Sequence, residues 1–156
     1  MDKKLPIKFL WGVFCHKAIT DQDTGEVSLI SVTPSLKIDV VRIETNDLNP
    51  KINIGRLHAV ALFERLNNST IEINENVTIE IFQSGFETRI IEGKIVIEST
   101  DNSIFVNVKL EGVFLNVSSI QDSSDYSFEI IYKIQDQQLG KIVLPVKVKI
   151  KSLDSE

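Results

Sequence analysis

YSFEIIYKIQDQQLGKIVLPVKVKI, residues 126–150, decides the fold class. Tyr126, Phe128, Ile130, Tyr132 and Ile134 occupy every second position, so a strand turns all five to one face. Asp136-Gln137-Gln138 then breaks the alternation with turn residues. It resumes with Ile142, Leu144, Val146, Val148 and Ile150 on one side and Lys141, Val143, Pro145, Lys147 and Lys149 on the other. This is a β-hairpin with one face for a core. Pro145 has no N–H to give a ladder, so the last strand is expected at a sheet edge or with a bulge at that point. Lysines on such an edge guard against strand-to-strand aggregation.

The same period runs back along the chain. Residues 5–19 read as a long first strand with Leu5, Ile7, Phe9, Trp11, Val13 and Cys15 on one face. Asp21 to Gly25 is turn chemistry, and Glu26–Thr33 returns as the hairpin partner. Leu36–Glu44 alternates again, and Thr45–Ile54 reads as the longest loop. LHAVALFERL, residues 57–66, fits both a helix and a strand, and its neighbours favour a strand. Further strands are expected around Val77–Phe82, Thr88–Glu98, Ile104–Leu110 and Val113–Val117. The expected core is Phe9, Trp11, Val13, Ile79, Ile81, Val106, Val108, Phe128 and Ile130. β-branched residues number 45 of 156 and alanines only 3, a balance that favours pleated sheet over helix. Eight or nine strands at short, even spacing, without linker or repeat, imply an all-β chain. The expected fold is a single antiparallel β-sandwich over residues 1–151, immunoglobulin-like or C2-like, with 152–156 as a frayed tail.

Three pieces in order carry a resemblance: FLWGVFCHKAITDQDTGEVSLISV, the middle pair LHAVALFERL and VTIEIFQSG, and DYSFEIIYKIQDQQLGKIVLPVKV. Together they resemble a widespread bacterial family of small β-sandwich proteins of unknown function. In that family a Cys-bearing first strand turns into a Ser-Leu-Ile-Gly-like strand, and a Gly-x-Tyr-x-Phe strand leads into the last hairpin. Here Ser28-Leu29-Ile30 matches with Ser31 in the glycine place, and Tyr126-Ser127-Phe128 matches with Ser124 in the other. The resemblance spans Ile7 to Val148 and rests on packing and turn signals. It implies a sandwich and no activity, so no functional residue is carried over.

Composition narrows the chemistry. A net charge of −5 argues against a nucleic-acid partner, whose binding needs a basic stripe. No apolar run approaches the roughly 20 residues of a membrane helix. No apolar h-region and cleavage site follow the charged residues Met1–Lys4, so no signal sequence is expected, and Cys15 is the single cysteine. A reducing, cytoplasmic location without membrane contact is expected. Cys15 and His16 are adjacent on a strand and so face opposite ways, which denies them a nucleophile–base hydrogen bond. With His58 as the other histidine, no metal or cofactor is expected. Asp21, Asp23 and Glu26 fail the EF-hand pattern because its twelfth position is Val32. A calcium site from several loops, with Asp122, Asp125, Asn46 or Asp47, is the remaining metal alternative. No phosphate-binding glycine loop and no isolated carboxylate pair occurs.

The leading expectation is therefore a non-enzymatic binding or adaptor module that contacts a protein partner or a second copy of itself. The candidate contacts are Lys141, Lys147 and Lys149 on the last strand, and Phe82, Phe86 and Phe105 on polar registers. Two alternatives stand beside it. One is a phage or bacterial-defence factor that sequesters a small ligand or inhibits a host protein. The other is an enzyme with a shallow site of loop carboxylates.

Overall fold

A computed structural model describes residues 5–41, 51–66, 73–84, 91–117 and 123–151. All regular structure among them is strand. In chain order the strands are β1 (Ile7–Thr20), β2 (Val27–Val32), β3 (Leu36–Val41), β4 (Lys51–Asn53), β5 (Leu57–Arg65), β6 (Ile73–Gln83), β7 (Ile91–Ser99), β8 (Ser103–Leu110), β9 (Phe114–Asn116), β10 (Ser123–Ile134) and β11 (Gln137–Lys151). They form a four-stranded sheet in the order β2-β1-β5-β8 and a five-stranded sheet in the order β3-β11-β10-β6-β7. A small ribbon pairs β4 with β9. All pairs are antiparallel except β3 with β11.

The two sheets meet face to face over an apolar core, in a sandwich-like arrangement. The five-stranded sheet supplies Val77, Ile79, Ile81, Phe128, Ile130, Tyr132, Ile142, Leu144, Val146 and Val148, all buried. The four-stranded sheet supplies Ile7, Phe14, Leu57, Ala59, Ala61, Phe63, Ile104, Val106 and Leu110. An aromatic knot joins the layers. Phe9 and Phe63 pack edge to face at 5.6 Å, and Tyr132 lies 6.0 Å from Phe9 and 5.5 Å from Phe63. The close approach needs Gly140, because a Cβ there would overlap the Phe9 ring.

The ambiguous stretch at 57–66 is strand. Its double apolar pattern arises because Leu57, Ala59, Ala61 and Phe63 face the core while Val60 and Leu62 face outward within the same central strand. Of the expected core, Ile79, Ile81, Val106, Phe128 and Ile130 are buried, and Phe9 and Val108 are partly buried against it. Trp11 and Val13 are a correction. The pairing of β1 with β5 shifts between Phe9 and Trp11, a bulge at Leu10 that exchanges the two faces of the strand. Ile7 and Phe9 point inward before it, and Gly12 and Phe14 inward after it, so Trp11, Val13 and Cys15 fall on the outer register of the sheet, with Cys15 itself covered there.

The last strand departs from expectation too. β11 is not an edge throughout: β3 pairs beside it from Val146 to Lys151, while Pro145 lies one residue short of that pairing, opposite Ser127 of β10. The proline therefore marks where the interior part of the strand begins. The hairpin turn centres on Gln135 and Asp136, both with positive φ (49° and 65°), one residue earlier than the sequence suggests. β4 lies where a loop is expected, because three residues carry too little alternation to be read. Asn46, Asp47, Phe86, Asp122 and the tail 152–156 lie outside the described residues.

Candidate functional site

The outer face of the four-stranded sheet is built row by row from the strand registers. Trp11, Leu62 and Phe105 form the first row, and Val13, Val60 and Asn107 the second. Val32, Cys15, His58 and Lys109 form the third, followed by Ile30 with Lys17 and Ser28 with Ile19. A solvated sheet face ordinarily alternates polar against the inner apolar face. This face instead presents one apolar band across four strands. Trp11 (38 %), Phe105 (42 %), Ile30 (45 %) and Val32 (52 %) keep large exposed areas. The Trp11 and Phe105 rings meet edge to face at 6.2 Å, which holds both in one orientation. Val60 and Cys15 between them are covered, and large apolar side chains exposed together on one face mark an interaction site.

The third row places Cys15 directly opposite His58, a neighbour that sequence adjacency with His16 could not indicate. His58 Nδ1 lies 2.9 Å from Asn107 Oδ1, so the imidazole is oriented by an amide. The thiol is fully buried and burial pushes its pKa up, with a hydrogen bond from the Lys17 backbone pulling the other way. Its hydrogen bond is thus with the backbone rather than the imidazole, and a protonated, enclosed thiol is a poor nucleophile.

The acidic turn serves its own backbone. Asp21 Oδ1 accepts from the N–H groups of Asp23 (2.8 Å) and Thr24 (3.0 Å), and these bonds hold its carboxyl below the ordinary aspartate range. Gly25 takes φ of 73° and closes the turn. Among the described residues no three His, Cys, Asp or Glu side chains are grouped as metal ligands.

The lysine candidates lie on the outer face of the other sheet. Lys141 contacts Glu129 at 3.4 Å, Lys147 stands opposite Asp125 and Lys37, and Lys149 opposite Asp39. Phe82 sits on that face opposite Glu129, half-buried, and Lys133 binds the buried Glu80 at 2.8 Å nearby. Of the five candidates among the described residues, Phe105 alone joins the apolar band, and it does so through Trp11 and Leu62. Between β7 and β8 a cleft of about 290 Å³ opens over Ile79, Ile81, Ile95 and Val108, with Lys94 and Lys109 also lining it.

No family model and no curated protein matches the chain. Among solved structures it is similar to one described as the N-terminal domain of PorA, at 9% identity and a TM-score of 0.29, over 90% of this chain and 98% of that one. A similarity of that size fixes neither fold type nor activity. Among the described residues no helix is long and apolar enough to cross a membrane.

Proposed function

We propose that the protein is a non-enzymatic binding module, a sandwich of immunoglobulin-like or C2-like kind acting in the cytoplasm. Its outer four-stranded face docks a protein partner. The supporting observation is the Trp11–Leu62–Phe105 row with its apolar continuation along Val13, Val32 and Ile30. Aromatic anchors in an apolar patch, with charged side chains at its margin, are common carriers of protein–protein binding energy. Lys17 and Lys109 supply such a margin here.

Trp11 is the single tryptophan, so its emission reports this face alone. A photocrosslinker at residue 105 should capture the partner, and complex formation should shift the Trp11 emission to the blue. Phe105→Lys, at an exposed position, should leave the melting curve in place and abolish the complex. Capture only from residue 143 on the opposite face, with Trp11 emission unmoved, would refute the assignment.

A second reading, sequestration of a small ligand, draws on the cleft between β7 and β8, whose apolar floor and few polar groups have the make-up of a ligand site. A ligand retained in native mass spectrometry and lost on Val108→Trp would favour it over docking.

A further inference from the structure

We propose that the edge of β2, which no other strand pairs among the described residues, pairs with β2 of a second copy of this chain and joins two four-stranded sheets into one. Four strands end the two main sheets: β2, β8, β3 and β7. Edges with unpaired backbone groups are ordinarily guarded by charge. β3 carries Lys37 and Asp39, β7 carries Glu92, Lys94 and Glu98, and β8 carries Lys109. β2 reads Val-Ser-Leu-Ile-Ser-Val and has no charge at all.

Among the described residues, the arm that bears this edge has no third strand beside it. β5 pairs with β1 from Ile7 to Cys15, and β2 pairs with β1 from Cys15 to Thr20. Beyond Cys15, β1 and β2 therefore form a two-stranded ribbon that outruns β5. Such a ribbon alone is marginal in water, and three or more strands are needed for independent stability. Ile19, Ile30 and Val32 lie exposed along it, β-branched residues suited to a pleated surface with neighbours on both sides.

A second copy supplies what is missing. Two-fold antiparallel pairing of β2 with itself gives the ribbon order β1-β2-β2-β1, four strands across the axis. It brings no like charges together within the paired strands. Ser31, at φ 55°, bends the end of β2, and its carbonyl already accepts from the Thr33 hydroxyl at 3.0 Å, so Val27–Ile30 is the segment free to pair. The joined sheet also makes the two apolar outer faces continuous. The inference does not depend on the docking reading, because edge and face are different surfaces.

Ser28 lies at the far end of the face from Trp11 and outside the apolar band, so its substitution separates the two surfaces. S28K and S28E each set like charges near their own copies across the axis, while a mixture sets opposite charges together. In sedimentation equilibrium the wild type should behave as two chains and each charged variant as one. The equimolar mixture should regain the mass of two, with circular dichroism unchanged throughout. Amide exchange in Val27–Ile30 should be slower in the wild-type dimer than in either charged variant. F105K should leave the dimer intact while it abolishes partner docking. A wild type that sediments as one chain at every concentration, a dimer that survives in both charged variants, or a dimer dissolved by F105K would each overturn the proposal.

Discussion

The Tyr132 hydroxyl is enclosed in the aromatic knot, and among the described residues nothing hydrogen-bonds to it. A buried hydroxyl without a partner costs its desolvation. Burial also holds the phenol well above its ordinary pKa. Tyr132→Phe should therefore raise stability by about 1 kcal/mol at neutral pH. The sign with pH follows from the raised folded value: stability is intact below the unfolded tyrosine pKa of about 10 and falls as pH climbs beyond it, because only the unfolded chain releases the proton. Urea midpoints at neutral and alkaline pH should show the Phe variant ahead, and further ahead in alkali. A lower midpoint at neutral pH would mean the hydroxyl is bonded after all. Tyr132 itself was legible, since its face alternates with Phe128 and Ile130. Trp11 was not, because a bulge has no compositional signature and one extra residue exchanges every later side chain between faces. Ser31 marks another limit: a positive φ there suits glycine better than serine, and the serine hides it.

At the scale of the element, the β4–β9 ribbon is tied to the main sheet by a side chain. Gln83, at the end of β6 and 1 % exposed, donates from Nε2 to the Asn116 carbonyl at 2.7 Å and accepts the Asn116 N–H at 2.9 Å. The amide thus takes the place of a paired strand residue and lets the ribbon close over Val113, Leu115 and Val117. Gln83→Ala removes both bonds and leaves the Asn116 backbone unmet, so a loss of about 2 kcal/mol is expected. Thermal melts should show it, and amide exchange should quicken in the ribbon before the large sheets. A melt unchanged by the substitution would remove the clamp from the account. Long alternating strands such as β10 and β11 were readable because many residues repeat one rule. The ribbon was not, because three residues a side repeat nothing and Gln83 binds across 33 positions of sequence.

Across the whole molecule the two outer faces differ in kind, and the difference could not be read from strand patterns alone. Period-two alternation says which residues share a face. It does not say which of two half-apolar faces meets the other sheet; the strand partners decide that. Phe105 and Lys147 both sit on outward registers, yet Phe105 joins an apolar band and Lys147 a field of mixed charge opposite Asp125 and Lys37. Lys149 likewise stands opposite Asp39, and Lys141 contacts Glu129. Exposed pairs of this kind are each worth about 0–1 kcal/mol, and their charges largely cancel at a distance. Such a surface keeps the sheet solvated and gives an acidic partner little net attraction. Lys147→Gln with Lys149→Gln should accordingly shift stability by no more than about 0.5 kcal/mol. Association with the partner captured through residue 105 should keep its rate and its salt dependence, since rim charges act mainly on the approach of an opposite field. Stopped-flow traces of Trp11 emission at low and high salt measure both. A slowed approach at low salt that recovers at high salt would mean the lysine face belongs to the docking surface, and the division of labour between the two faces would fall.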